Sequence, residues 1–176
     1  MDYGAYTNAK NPVVTIEVVH FGKMEIQLFP EVAPNTVRNM VHMIKDNVFE
    51  NSTFHRIISS FMIQGGRSNK EVKAIRGEFK SNGFDNPLKH FRGVISMART
   101  SDPNSATSQF FIMHQDSPHL DGKYAAFGGV VKGFDVLDKI ANVKTDKTDA
   151  PFDDVVIQSV SIDTKKMTFD PPTTVN

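Results

Sequence analysis

Apolar and polar positions alternate along this chain in short runs, and that alternation predicts strands. Val13 to Val19 is β-branched and apolar. After a turn at His20-Phe21-Gly22, Met24, Ile26 and Leu28 alternate with Lys23, Glu25 and Gln27, the period of a strand with one buried face. The same reading places strands over 53–58, 61–64, 93–98, 109–113, 126–131 and 155–162, about eight in all. Only two segments carry helical spacing. Behind Pro34, which suits a first helical position, Val37, Met40, Val41 and Ile44 recur at i, i+3, i+4 and i+7. From Phe134 to Ala141, Leu137, Ile140 and Ala141 share one side. The pattern predicts an all-β fold, either a closed antiparallel barrel with two helices covering its ends or a sandwich.

No linker or repeat breaks the stretch 12–163, which reads as one domain. Residues 1–11 are small and polar, and the tail 164–176 contains Asp170-Pro171-Pro172-Thr173-Thr174, so both read as loosely held extensions. The length of 176 residues suits a single core. With no cysteine there is no disulfide, thiolate metal site or cysteine nucleophile. Twenty Lys+Arg balance twenty Asp+Glu, which argues against a general nucleic-acid binder. The first residues lack the basic and apolar regions of a secretory signal, and no apolar run approaches the ~18 residues of a membrane span. A cytoplasmic monomer with no membrane partner is the expectation.

Phosphate-binding glycine loops and His-Glu-x-x-His are absent. The six histidines are scattered and read as surface or hydrogen-bonded residues. No Gly-x-Ser-x-Gly elbow supports a serine hydrolase. The informative stretch runs from Thr53 to Gly66, where alternation puts Arg56 on a face with Phe54 and Ile58, and Met62 with Gln64. A cation flanked by large apolar groups is costly unless paired or at a surface, and an arginine snorkelling at a barrel edge is the bland reading. The run Ser108-Gln109-Phe110-Phe111-Ile112-Met113 shifts the balance. Phe110 and Ile112 can fill a core, but Phe111 and Met113 then point outward, under a helix or into an apolar binding surface. Gln64 and Gln109 complete the outline of an apolar pocket with a few fixed polar groups.

At these residues the chain resembles the cyclophilins, peptidyl-prolyl cis/trans isomerases. The matching runs are Phe54-His55-Arg56-Ile57-Ile58, Phe61-Met62-Ile63-Gln64-Gly65-Gly66, Gly93-Val94-Ile95-Ser96-Met97-Ala98, Ser108 to Ile112, Leu120-Asp121-Gly122-Lys123 and Ala126-Phe127-Gly128. The form Ser-Met-Ala-Arg-Thr over 96–100 and the compact loop after Gly66 resemble the bacterial branch. The resemblance implies a closed eight-stranded antiparallel barrel capped by two helices. It implies Arg56 as the catalytic arginine and a proline pocket of Phe61, Met62, Phe111 and Leu120. Gln64 would hydrogen-bond the substrate backbone, and Ala98, Arg99 and Gln109 would form the groove for residues before proline. His55, His119 and Tyr124 stand at further substrate-contacting positions. No cofactor and no metal is implied; the partners are proline-containing peptides and unfolded proteins.

Three departures bear on that site. Ser59-Ser60 replaces the Pro-Gly common between the two strands, implying a looser turn. His119 stands where many relatives have tryptophan, implying weak binding of cyclosporin-type macrocycles. Tyr124 replaces a frequent histidine. A proline-peptide-binding or chaperone module with little catalysis is the alternative these departures leave.

Overall fold

The computed structural model describes residues 1–175. Strands β1 (Val13–Val18) and β2 (Gly22–Leu28) pair antiparallel with Val14 opposite Ile26 and Ile16 opposite Met24, so both apolar sets turn to the same buried face. Six further strands follow: β3 (Arg56–Ile58), β4 (Met62–Gly65), β5 (Val94–Met97), β6 (Phe110–Met113), β7 (Ala126–Lys132) and β8 (Ile157–Asp163). All are antiparallel to their neighbours, in the order β3-β4-β6-β5-β7-β2-β1-β8.

Helices α1 (Pro34–Lys45) and α2 (Phe134–Ala141) occupy the two segments their spacing marks. In α1, Val37, Met40, Val41 and Ile44 are buried, and no side chain of its N-cap residue Ala33 satisfies the first amides. The buried carboxylate of Glu78 does so from another segment. Its Oε1 accepts from the backbone N–H and the hydroxyl of Thr36, each at 2.6 Å, and its Oε2 from Asn35 N–H at 3.3 Å. A carboxylate there also complements the positive end of the helix dipole.

The architecture corrects the closed barrel to an open half-barrel. The sheet ends at β3 and β8, between which no ladder forms among the described residues. A single bridge, Thr53 to Val156, spans the gap, with Phe54 N–H donating to Val155 O at 2.9 Å and Ile157 N–H to Ser52 O at 2.8 Å. The cause is a change of partner at His55. Up to Phe54 the chain bonds the segment leading into β8; from Arg56 it bonds β4 on one edge, and on the other Ile57 N–H donates to Asp149 O at 2.9 Å rather than to β8. That switch breaks the alternation expected over 53–58. Phe54 and Ile57 both lie in the core, while Arg56 is exposed, so Phe54 and Arg56 do not share a face.

Beyond the break, register divides the sheet cleanly. Ile57, Ile63, Ile112 and Ile95 are cross-strand neighbours on the inner face, all buried. Phe110 meets Phe49 and Phe54 edge-on, with ring centroids 5.5 and 6.1 Å apart. One position along, Arg56, Gln64, Phe111 and Ser96 form the corresponding outer row. Behind Phe111 lies the buried ring of His90, nearly parallel at 6.0 Å. The Asp121 carboxylate accepts from the His90 backbone N–H at 2.6 Å and from Nδ1 at 3.1 Å, leaving Nε2 to accept from the Ser96 hydroxyl at 2.9 Å.

Both extensions are tied to the fold at described residues. Tyr3 is fully buried against Phe29, and its hydroxyl donates to Val130 O across the fold. Gly129 lies directly under the Tyr3 ring, where any Cβ would collide with it. In the tail, Phe169 O bonds His42 Nε2 at 2.9 Å, Thr173 and Asn35 exchange two bonds of 2.8 Å, and Val175 N–H donates to Ala74 O at 2.8 Å. Residues 1–11 and the tail 164–176 read as loosely held extensions because single anchors of this kind carry no periodicity.

Two outcomes follow for stability. Tyr3→Phe removes a buried hydroxyl–carbonyl bond and leaves an acceptor unsatisfied, a loss of about 1–2 kcal/mol, or roughly 2–8 °C in Tm, measurable by thermal unfolding. Burial outweighs Asp121 and holds the His90 pKa below its ordinary 6.5. As pH falls the unfolded chain therefore takes up that proton first, so the stability is full above about pH 6.5 and declines below it. His55 shifts in the same direction, mainly by burial, whereas Asp138, held low by its bond to Arg92, costs stability only in the carboxylate range. Tm should fall between pH 7 and 5, and His90→Gln should flatten that slope; an equally steep slope in the variant would contradict the assignment.

Candidate active site

The outer row of the sheet is the floor of the site. Arg56 on β3 faces Gln64 on β4, which faces Phe111 on β6, so three side chains from three strands stand side by side. Arg56 can only donate, and its Nη1 does so to Gln64 Oε1 at 3.3 Å. That fixes the Gln64 amide, whose Nε2 donates to Gln109 Oε1 at 3.0 Å. Among the described residues the remaining guanidinium N–H groups have no partner, and Gln64 keeps a second lone pair and a second N–H.

Beside this polar row opens a pocket of about 220 Å³ lined by Phe61, Met62, Phe111, Leu120 and Tyr124, together with Arg56, Gln64, Ala98 and Arg99. It falls just short of the ~300 Å³ at which drug-sized sites begin, which suits a small apolar ring. Met62, Phe111 and Leu120 are buried, and Tyr124 meets Phe111 edge-to-face with centroids 5.8 Å apart. His119 lies exposed against Phe61, with ring centroids 5.7 Å apart.

Arg99 does more than line the groove. Its guanidinium sits between two rings, 4.9 Å from the centroid of Phe79 and 4.6 Å from that of Tyr124. Nε and Nη2 donate to Lys123 O at 3.1 and 2.6 Å, and Nη1 to Thr100 O at 2.9 Å. The side chain is thereby committed to bracing the Tyr124 wall. Its backbone N–H and C=O carry no hydrogen bond among the described residues, so an extended peptide can pair there.

His55 stands next to Arg56, half-buried, with Nδ1 buried and unpartnered among the described residues. Burial foremost, then the Arg67 charge, keeps its pKa below the ordinary value, so the ring is neutral at pH 7. A neutral imidazole beside a guanidinium adds a hydrogen-bonding group without repelling the cation.

Nine of the twelve expected site residues thus line the pocket; of the other three, Gln109 bonds Gln64, His119 packs against Phe61, and His55 is the chain neighbour of Arg56 without lining the pocket. The structure adds His90 and Asp121 behind Phe111, and Phe79 beneath Arg99. Their partners come from remote segments, and no local spacing announces them.

Residues 13–162 match the family model described as cyclophilin type peptidyl-prolyl cis-trans isomerase/CLD. A peptidyl-prolyl cis-trans isomerase of Acinetobacter baylyi is 46 % identical over 133 residues, spanning 72 % of this chain and 70 % of the relative. Peptidyl-prolyl cis-trans isomerase B of Escherichia coli is 39 % identical over 164 residues, spanning 85 % and 99 %. A crystal structure of a Cryptosporidium parvum cyclophilin type peptidyl-prolyl cis-trans isomerase superposes with a TM-score of 0.78 at 29 % identity, covering 87 % of this chain and 97 % of that one. The same protein in the presence of the dipeptide ala-pro gives 0.76 at 30 % identity, covering 86 % and 98 %. Sequence motifs, fold and pocket agree: the chain belongs to the cyclophilin-type peptidyl-prolyl cis–trans isomerases.

Proposed function

We propose that this protein accelerates rotation about X-Pro peptide bonds, with Arg56 donating to the prolyl nitrogen in the twisted transition state. The observation that carries this reading is a guanidinium, bonded through one nitrogen to Gln64, lining the same pocket of about 220 Å³ as Phe61, Met62, Phe111 and Leu120.

Resonance puts a barrier of about 18–20 kcal/mol on peptide rotation, and uncatalysed prolyl exchange takes roughly 10–100 s. A turnover near 10³ s⁻¹ requires about five decades, or ~7 kcal/mol. In the twisted state the C–N bond loses its double-bond character and the nitrogen regains a lone pair. A donor aimed at that nitrogen stabilises the twisted state and not the planar ones, which is what raises rate rather than affinity. Arginine suits the task because its planar fork stays charged and is held by Gln64. Phe61, Met62, Phe111 and Leu120 would fix the ring and exclude water, strengthening the bond from Arg56. The preceding residues would lie along Ala98 and Arg99 as an added strand, with Gln64, Gln109 and His55 contacting the peptide backbone.

The Ala-Pro dipeptide with the Cryptosporidium relative supports proline-containing peptides as the ligand class. Partly folded chains with accessible X-Pro bonds are the natural clients of such a site, and the reading takes the enzyme as a cytoplasmic monomer. Few large apolar side chains are strongly exposed among the described residues: Met1, Phe152 and Met167.

Coupled-exchange NMR on an Ala-Pro peptide tests the activity. Catalysis broadens and links the cis and trans signals; shifts without exchange would instead identify a binding module. Arg56→Ala should lower kcat/KM by about 10²–10³ with an unchanged Tm, the usual cost of removing a transition-state donor. Unaltered exchange in that variant would sink the mechanism. For cyclosporin, the smaller, exposed imidazole of His119 offers less contact area than an indole and no matching Nε1–H donor. Weak affinity is expected, tightening about tenfold in His119→Trp by titration calorimetry; a nanomolar Kd for the unmodified protein would refute it.

A further inference from the structure

The turn that carries Phe61 into the pocket is built without glycine, and a histidine from the far end of β6 holds it. Ile58, Ser59, Ser60 and Phe61 form a four-residue turn closed by Phe61 N–H donating to Ile58 O at 3.0 Å. Ser60, third in the turn, has φ +63°, the left-handed region that normally calls for glycine at this position. Its N–H donates to Nδ1 of His114 at 2.9 Å.

That bond fixes the tautomer. With Nδ1 accepting, the ring proton of a neutral His114 sits on Nε2, which donates to Asp138 Oδ1 at 3.0 Å. Asp138, on α2, is gripped by both terminal nitrogens of Arg92 at 2.6 and 3.0 Å. Arg92 also donates to the His114 carbonyl at 3.1 Å and lies over the Phe134 ring at 5.1 Å. The His114 backbone N–H donates to Phe61 O at 2.9 Å. From the other side, Ser59 Oγ donates to Asn142 Oδ1 at 3.1 Å, just past the end of α2. One residue therefore connects a rigid helix to both the turn and the pocket wall that follows it.

We infer that His114 is a positioning residue for the isomerase reaction, holding Ser60 in its left-handed conformation through Nδ1 so that Phe61 closes the proline pocket opposite Arg56. The inference rests on the isomerase reading above. Phe61 contacts the ring in planar and twisted states alike, so loosening it weakens binding more than it slows the chemical step.

Two substitutions separate the ends of the imidazole. His114→Gln can still reach Asp138 from the Nε2 side but presents no acceptor to Ser60; His114→Asn places a carbonyl oxygen close to where Nδ1 stands. His114→Gln should raise KM for an Ala-Pro peptide about tenfold with kcat changed less than about twofold. His114→Asn should recover most of that loss, and so should Ser59→Pro with Ser60→Gly in the His114→Gln background, because the turn then needs no external tie. Nitrogen-15 histidine spectra of the unsubstituted protein should show His114 as the Nε2–H tautomer with an accepting Nδ1, a readout that requires no variant to fold. A proton on Nδ1, equal losses in the Gln and Asn variants, or no recovery in the Pro-Gly background would each overturn the inference. An unsubstituted protein that fails to speed exchange speaks against the isomerase reading alone, and the tautomer still decides the role of His114.

Discussion

Were the pairing of β3 with β4 to slip by one residue, Arg56 would turn into the core and Ile57 out toward the groove. The pairing holds because both faces of the neighbouring strands are occupied. On the inner side Ile57, Ile63, Ile112 and Ile95 pack as one row, each worth about 1.5–3 kcal/mol of burial. On the outer side Phe111 is stacked on His90 and cannot exchange places with a polar residue. An unpaired guanidinium inside would add a desolvation cost on top. The side of the sheet on which Arg56 stands is thus inherited from core packing, and the bond to Gln64 then orients its guanidinium.

The pocket walls have less of that support. Arg56, Gln64 and Phe111 stand on strands, but Phe61, Leu120 and Tyr124 come from connecting segments. Each is braced by a polar contact from elsewhere in the chain: Phe61 through His114, Tyr124 through Arg99 on Phe79, and the Leu120 segment through Asp121 on His90. Ions and hydrogen bonds do here what apolar packing does beneath the sheet. Such contacts are directional, so they fix orientation where a loop alone would leave several conformers open.

The strands and helices were legible because their apolar residues repeat with the period of the element. Met24, Ile26 and Leu28 turned inward as alternation demands, and Val37, Met40, Val41 and Ile44 mark the buried face of α1. The site was legible because Phe110 and Phe111 cannot both enter one core. Alternation failed at His55, where the chain changes hydrogen-bonding partner between adjacent residues; periodicity describes a strand with one neighbour and cannot signal the exchange. Tyr3 was missed because one aromatic among small polar residues has no repeat to belong to. Glu78, His90 and His114 were invisible for a different reason. Their meaning lies in the partner, and Thr36, Asp121 and Ser60 are 42, 31 and 54 positions away.

The order of strands in the sheet is not the order in which the ribosome delivers them. The hairpin of β1 and β2 is complete within the first thirty residues, yet the free edge of β2 pairs with β7 and that of β1 with β8. Val13 meets Asp163, about 150 residues downstream, which at ~5–20 residues per second is a wait of roughly 8–30 s. Through that interval a Val- and Ile-rich hairpin emerges with both edges open, the form in which strands recruit one another between molecules. Keeping such nascent hairpins apart during synthesis is thus a demand the strand order places on folding, separate from the stability of the finished fold.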